Sequence, residues 1–143
     1  MTETEIRELL EAGQNLQVAT NGSDGYPHLT TLWYHLIDGL VTFRSFTKSQ
    51  RIVNLARDPR ITVLVEAGDT YDQLRGVMIQ GRAALDSDPA RVMATYLGVT
   101  QKMQGEDVTP EAIEMLFGRF KDKNTVVTVH PERVISWDHR KGG

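Results

Sequence analysis

Residues 43–60, FRSFTKSQRIVNLARDPR, carry the strongest structural signal in this chain. The apolar start of the segment predicts the end of a β-strand, and the polar residues after it predict a short loop. The spacing of the apolar residues that follow predicts a two-turn helix over about residues 49–57, and Asp58-Pro59 should end it because proline cannot continue a helix. The segment therefore predicts a strand, a loop and a helix in close succession.

The loop of this segment places two cations, Lys48 and Arg51, at the start of the predicted helix. Thr47 and Gln50 have the spacing of a capping box, in which a hydroxyl and an amide satisfy the free N–H groups of a helix start. Unpaired N–H groups, the positive end of the helix dipole and two nearby cations together favour a phosphate. The alternative interpretation is a solvated basic turn that only caps a helix.

Composition excludes several functional classes. The 143 residues suit one domain spanning 1–143, with 40% hydrophobic and 24% charged residues. The chain has no cysteine, which excludes disulfides, thiolate metal sites and cysteine nucleophiles. A net charge of −3 without a basic run argues against nucleic-acid binding. No apolar run is long enough to span a membrane and the acidic amino terminus is unlike a leader, so we expect a cytoplasmic protein.

The order of the predicted elements indicates a mainly β fold, a six-stranded antiparallel split β-barrel with peripheral α-helices. Capping and proline signals predict helices at residues 2–12, 49–57, 89–98 and 110–119. Apolar and β-branched segments predict strands at residues 16–20, within a hairpin over 27–45, and at 61–66, 76–85 and 125–137. Within these strands, Gly76 and Gly81 predict a bulge or a close approach of another group, and Pro131 predicts a break or bend.

Motifs for catalysis or metal binding are missing from the sequence. The four histidines do not have metal-ligand spacing, and the nucleophile-elbow, P-loop and dinucleotide motifs are absent. The pattern offers a place for an anion but no nucleophile or base. We therefore expect a protein that holds a reactive cofactor and leaves the chemistry to it, with no metal site and no identified catalytic residue.

The order of these segments resembles the pyridoxamine 5′-phosphate oxidase-like split β-barrels, which bind flavin or deazaflavin. The resemblance covers roughly residues 5–137 and is most specific in SQRIVNLARDPRITVLVE, followed by LRGVMIQGRA. It implies that the cofactor phosphate meets the loop and helix start, that the ring lies along the second and third strands, and that residues 75–76 face the cofactor near a dimer interface. The implied cofactor-binding residues are His28, Thr30, Thr31, Leu32, Trp33, Phe43, Arg44, Ser45, Lys48, Ser49, Gln50, Arg51, Arg75 and Gly76.

Two departures from the family pattern refine what the resemblance implies. Arg51 stands where many relatives have lysine, and its planar fork can still hold two oxygens of an anion. The carboxy-terminal anchor for pyridoxamine phosphate is not recognisable after Trp137, so pyridoxine-phosphate oxidase activity is not expected.

The short form of the chain resembles the branch that uses coenzyme F-420, a deazaflavin whose anionic tail would benefit from Lys48 and Arg44. FMN is the alternative cofactor. The implied activity is hydride transfer to an activated double bond of a small organic acceptor, and solvent, Tyr71 and His28 are all open as proton donors. A non-catalytic cofactor carrier and a haem-binding barrel remain alternatives from other classes.

The resemblance also implies a homodimer with the cofactor in the groove between subunits. Four apolar residues on the predicted strands would then lie at the surface between the two copies: Leu32, Trp33, Met78 and Ile79.

Overall fold

A single curled antiparallel sheet dominates the fold, and the computed structural model describes it within residues 1–142. The strands follow the order β2-β1-β5-β6-β7-β4-β3, and every neighbouring pair is antiparallel. The sheet forms a half-barrel with helices at its periphery, which confirms the predicted split barrel. The strands are β1 (Asn15–Asn21), β2 (Pro27–Trp33), β3 (His35–Ile37), β4 (Leu40–Phe46), β5 (Arg60–Ala67), β6 (Arg75–Asp86) and β7 (Asn124–Asp138).

The predicted count of six strands is wrong, because the segment expected as one hairpin arm is divided at Tyr34. Residues 27–33 pair with β1, whereas residues 35–37 pair with β4 across the turn at Asp38 and Gly39. Both turn residues have positive φ, 53° and 78°, which suits the Asp-Gly pair of a tight hairpin. The Tyr34 side chain is fully buried and its hydroxyl donates to the carbonyl of Leu10. The buried Tyr34 side chain therefore lies at the point where β2 ends and β3 begins.

Four helices surround the sheet: α1 (Glu3–Ala12), α2 (Gln50–Arg57), α3 (Pro89–Gln104) and α4 (Pro110–Phe117). Three of the expected caps are confirmed. Thr2 and Glu5 form a full capping box, and the side chains of Asp88 and Thr109 cap α3 and α4 ahead of their first-turn prolines. Helix α3 runs six residues beyond the predicted end at residue 98, because Gly98 continues the helix against the side chain of His35.

The capping box predicted for α2 is wrong. Ser49 occupies the N-cap position, and its side chain makes no capping hydrogen bond. Thr47 instead shares a 2.9 Å hydrogen bond with the hydroxyl of Thr125 on β7. Gln50 donates to Asn54 at 2.8 Å. The α2 amino terminus therefore lacks a side-chain acceptor for its free N–H groups.

Two apolar cores lie on opposite faces of the sheet. The larger core fills the barrel and includes Phe43, Val63 and Ile79. The smaller core lies between the outer face and the α3–α4 pair, and includes Tyr96 and Val126. Ile79 is therefore interior, so the expectation that it contributes to an exposed apolar surface is wrong. The second core positions α3 and α4 beside the end of β4.

The two strand glycines lie where a side chain would collide. Gly81 sits at a register shift opposite Pro131, and a Cβ there would lie 2.1 Å from the carbonyl oxygen of His130. Gly76 packs under Trp137, whose ring would be 2.5 Å from such a Cβ. The bulge and the close approach are both confirmed, and β7 continues through Pro131 in the shifted register. Among the residues described, no helix combines the length and apolar character needed to cross a bilayer.

Candidate functional site

A cleft of about 530 Å³ opens where β2 and β4 meet the amino terminus of α2 and the inner sides of α3 and α4. This volume lies in the range of small-molecule and cofactor sites. The cleft is lined by Thr31, Leu32, Trp33, Arg44, Ser45, Phe46, Arg51, Tyr96, Val99, Thr100, Gln104, Leu116 and Phe117.

Arg51 enters the cleft from the first turn of α2 and is held by two hydroxyl groups. Its Nη1 donates to Ser45 Oγ at 2.6 Å and its Nε donates to Thr30 Oγ1 at 3.1 Å. Ser45 is itself buried and shares a 2.9 Å hydrogen bond with Ser49. Partial burial of the guanidinium lowers the pKa of Arg51. The hydroxyls orient the cation but bring no negative charge to it.

Arg44 reaches the same cleft from β4, one residue before Ser45. Its Nη1 donates to Asn124 Oδ1 at 3.1 Å, and its guanidinium carbon lies 4.0 Å from the centre of the Tyr96 ring. Asn124 is fully buried and donates to the carbonyl of Phe120 at 3.0 Å, so it is a fixed support for Arg44. Burial lowers the pKa of Arg44, and the charge of nearby Arg51 lowers it further. The two guanidinium groups are therefore close enough to repel each other electrostatically.

Neither arginine has a carboxylate partner. Seven ion pairs occur within residues 1–142, and all of them involve other side chains. Burying a cation without a counter-ion costs free energy, and two adjacent ones repel each other. An anion between Arg44 and Arg51 would relieve both terms, since hydrogen bonds to charged groups contribute about 1.5–3 kcal/mol each. The donor set thus fits a phosphate or another compact anion.

Six of the residues expected at the cofactor line the cleft directly: Thr31, Leu32, Trp33, Arg44, Ser45 and Arg51. Thr30 and Ser49 stand behind them, as hydrogen-bond partners of Arg51 and Ser45. His28 lies on the same face of β2 as Thr30, and its Nδ1 is buried without a hydrogen-bond partner within the described chain.

The remaining expected residues lie elsewhere. Phe43 is fully buried in the barrel core, so its side chain faces away from the cleft. Lys48 is exposed, and Gln50 is engaged with Asn54. Arg75 and Gly76 pair with Asp138 and Trp137 at the far end of β7 from the strands that flank the cleft, so this subunit does not bring them to it.

One wall of the cleft, contributed by α3 and α4, is not predicted by any pattern in the sequence. Tyr96, Val99 and Thr100 face the cleft at helical spacing, and Leu116 and Phe117 come from α4. The Tyr96 and Phe117 rings stack with centroids 4.4 Å apart. Apolar residues at this spacing are also what a core-packing helix requires, so the sequence contains no signal that separates the two roles.

The two possible proton donors named from the sequence do not line the cleft. Tyr71 is 79% exposed and stacks on His139 with ring centres 4.7 Å apart, in a 3-10 turn after β5. His28 is half-buried and lies on β2, on the opposite face of the strand from Thr31 and Trp33, which line the cleft.

The fold and this cleft define a class: a split β-barrel with two half-buried arginines in a cleft beside β2 and β4. The chain belongs to the pyridoxamine 5′-phosphate oxidase family, whose model matches residues 2–138. This confirms the family resemblance seen in the sequence. No curated protein matches the chain.

Solved structures extend the comparison. The chain is similar to the conserved hypothetical protein Rv2991 from Mycobacterium tuberculosis, with 40% identity, a TM-score of 0.90, and coverage of 100% of this chain and 88% of that one. It is also similar in fold to an F420 reductase (23% identity, TM-score 0.70, 90% and 94% covered). A third structure of the same fold is an FAD-binding protein from Mesorhizobium loti (18% identity, TM-score 0.67, 95% and 93% covered).

Proposed function

We propose that this protein is an oxidoreductase that binds a phosphate-bearing flavin or deazaflavin in the cleft between β2, β4 and the α3–α4 pair. One observation carries the proposal: Arg44 and Arg51 are half-buried side by side in the cleft with no carboxylate partner among residues 1–142. Family membership supports the cofactor class.

Different residues bind different parts of the cofactor in this proposal. Arg51 holds the phosphate with its remaining guanidinium N–H groups, while Ser45 and Thr30 fix its orientation. Free N–H groups at the start of α2 add donors, because no side chain caps them. Arg44 supplies a second charge from its support on Asn124. Thr31 and Trp33 border the space for the ring.

Coenzyme F-420 is the cofactor we propose first, and FMN is the alternative. The likeness of fold to an F420 reductase favours the deazaflavin, and the likeness to an FAD-binding protein keeps a flavin in consideration. Coenzyme F-420 carries a phosphodiester and an anionic tail, so it would use both arginines together with the exposed Lys48.

When bound and reduced, a deazaflavin supplies a hydride, and the acceptor we propose is an activated double bond of a small organic molecule. The protein's own contribution is to hold and orient the reactants and to keep water from the cleft. The residues that line the cleft include no histidine, cysteine or carboxylate, which is consistent with chemistry supplied by the cofactor.

A homodimer with the cofactor at the subunit groove is part of the proposal. Leu29 and Trp33 on the outward side of the edge strand β2 are 68% and 49% exposed, and burying them against a second copy would be favourable. A second copy could also bring Arg75 and Gly76 to the cofactor, which one subunit alone does not. Sedimentation that shows a stable monomer of about 16.1 kDa at micromolar concentration would contradict the dimer.

Two other functions would use the same fold. A cofactor carrier would bind as tightly but would not pass electrons to any acceptor, so turnover by the reduced protein separates it from an enzyme. A haem protein needs an axial ligand, and the lining of the cleft offers no histidine, cysteine or methionine for that role. Its one tyrosine, Tyr96, accepts from Asn124 at 3.3 Å and stacks on Phe117. The visible spectrum of the purified protein distinguishes haem, flavin and deazaflavin.

The binding proposal is tested by titrating variants with coenzyme F-420 and, separately, with FMN. Arg51→Ala should weaken binding by about 1.5–3 kcal/mol, the range for a hydrogen bond to a charged group. Lys48→Ala should cost less because an exposed cation is screened by solvent. Arg57→Ala, on the exposed last turn of the same helix, is the matched control and should bind like the parent. Parent-like affinity of Arg51→Ala for both cofactors would refute the phosphate site.

A further inference from the structure

The cleft has two chemically different ends. Both of its charged residues, Arg44 and Arg51, lie at the β4 and α2 end. The opposite wall, formed by Val99, Thr100, Gln104 and Leu116, contains no ionisable side chain. Burying a charge against such a wall without a partner is unfavourable, whereas an uncharged molecule avoids that desolvation penalty. The cleft therefore favours an anionic group at one end and a neutral one at the other.

Large apolar side chains at this wall and opposite it are left uncovered. Leu116 is 56% exposed, Trp33 is 49% exposed and Phe46 is 46% exposed, and all three line the cleft. Covering the exposed part of these side chains with an apolar molecule would favour binding. Met115, the residue before Leu116, is 86% exposed and does not line the cleft. The apolar exposure at Leu116 thus belongs to the concave site.

The wall also carries polar groups without partners. Within residues 1–142, neither the half-buried Thr100 hydroxyl nor the exposed Gln104 amide hydrogen-bonds to another side chain, so water satisfies both in the absence of a ligand. Both are one or two helical turns from Tyr96, whose ring contacts Arg44 at the boundary with the charged end. Both groups can donate a hydrogen bond to one carbonyl oxygen of a molecule that packs on the apolar surface.

Contacts on the side of α3 opposite the cleft hold the wall in place. Gly98 and Lys102 lie on the side of α3 that faces away from the cleft. A Cβ on Gly98 would be 2.3 Å from the His35 ring, and Lys102 Nζ donates to the Tyr34 carbonyl at 3.3 Å. Both contacts fix α3 to the chain immediately after Trp33. The distance between the two walls is therefore set before any ligand binds, which reduces the entropic cost of binding.

We infer that this wall, formed by Val99, Thr100, Gln104 and Leu116, is the subsite for the electron acceptor, and that it takes an uncharged, flat organic molecule with one carbonyl group. The inference rests on the proposed function, because it assigns the opposite end of the cleft to the cofactor phosphate. The flat shape follows from the aromatic surfaces at Trp33 and Phe117, and the carbonyl from the two free donors.

The test measures binding to the protein without cofactor, using 1-acetonaphthone as the neutral carbonyl probe. The background variant Trp137→Phe leaves Trp33 as the single tryptophan, because the chain has two. Saturable quenching of Trp33 fluorescence reports the probe at the cleft. Equilibrium dialysis with the unaltered protein repeats the measurement, so a poorly folded background variant does not affect the outcome.

Leu116→Asp should weaken probe binding by at least about tenfold, since it replaces apolar contact with a charge. Met115→Asp, the neighbouring change outside the cleft, should stay within about twofold of the parent. Replacing Thr100→Val together with Gln104→Leu should weaken the ketone by about two- to tenfold, the value of a neutral hydrogen bond. The same pair of changes should leave 1-ethylnaphthalene, which lacks the carbonyl, unaffected.

The inference would be overturned by the absence of saturable probe binding, by equal effects of Leu116→Asp and Met115→Asp, or by full displacement of the probe by FMN. A loss of FMN affinity in Leu116→Asp as large as the loss of probe affinity would also overturn it, because the wall would then line the cofactor. A failure of the proposed function would be detected separately. In that case, titration of Arg51→Ala with coenzyme F-420 and with FMN would show the affinity of the parent.

Discussion

The imidazole ring of His35 packs directly on the backbone of Gly98, leaving no room for a methyl group between β3 and α3. A Cβ at residue 98 would lie 2.3 Å from both Cε1 and Nδ1 of the ring. Alanine should raise helix propensity by about 0.8–1.0 kcal/mol, but overpacking costs about 1–3 kcal/mol. We therefore expect Gly98→Ala to lower the free energy of unfolding in urea by up to about 2 kcal/mol.

Whether Gly98→Ala lowers or raises the free energy of unfolding depends on the His35 side chain. In a His35→Ala background the collision is removed, so Gly98→Ala should become stabilising by up to about 1 kcal/mol. The double-mutant cycle, measured by urea denaturation of the four proteins, gives the coupling directly. Equal effects of Gly98→Ala in both backgrounds would show that the imidazole is not what excludes the side chain.

Lys102 should make stability depend on pH in the alkaline range. Its Nζ lies 3.7 Å from the centre of the Tyr34 ring, and burial lowers the pKa of Lys102 from 10.5 to about 8. Between these two values the unfolded chain binds more protons than the folded chain, so the Lys102 contribution to stability rises with pH. The free energy of unfolding of the parent, relative to Lys102→Met, should therefore increase from pH 8 toward 10.5.

The exposed Lys48 provides the control for this pH series. Lys48→Met removes an exposed amine and controls for the loss of a positive charge at the surface. A difference between Lys102→Met and the parent that stays flat from pH 8 to 10.5 would mean that the folded protein does not disfavour the charged amine.

Ser45→Ala should weaken cofactor binding without removing a charge. The Ser45 hydroxyl accepts from Arg51 at 2.6 Å, so its loss frees the guanidinium to take other orientations. We expect a loss of about 0.5–1.5 kcal/mol in cofactor affinity, less than for Arg51→Ala. Ser23→Ala, in the exposed turn before β2, is the matched control. Titration with coenzyme F-420 and with FMN measures the cofactor affinity of both variants. A loss of affinity in Ser45→Ala as large as that in Arg51→Ala would contradict the supporting role of Ser45.

The same substitution should have opposite effects at two positions near the start of α1. Thr2 Oγ1 accepts from the Glu5 backbone N–H at 3.1 Å, so Thr2→Ala should destabilise the protein by about 0.5–2 kcal/mol. Thr4 is exposed within the helix, where alanine has the higher propensity. Thr4→Ala should stabilise by a few tenths of a kcal/mol. Thermal unfolding distinguishes the two, and destabilisation of similar size in both would exclude capping as the cause.

The sequence by itself determined the local structure and the family. The strand, loop and helix over residues 43–60, three of the four expected caps, the bulge at Gly81 and the tight turn at Asp38-Gly39 all follow from short-range chemistry. Backbone conformation, capping and proline effects act between residues a few positions apart, so a sequence pattern contains them. The position of Arg51 in the first turn of α2 could be predicted for the same reason.

Only the tertiary structure decided how the cleft is assembled. Arg44 meets Asn124, which is 80 residues away, and α3 and α4 supply a wall that no pattern predicted. Strand alternation places Phe43 and Arg44 on opposite faces, but both faces of β4 are covered, so the sequence does not say which of the two lines the cleft. The division at Tyr34 likewise depends on Leu10, a partner distant in sequence. Long-range packing, which no local pattern contains, decides these contacts.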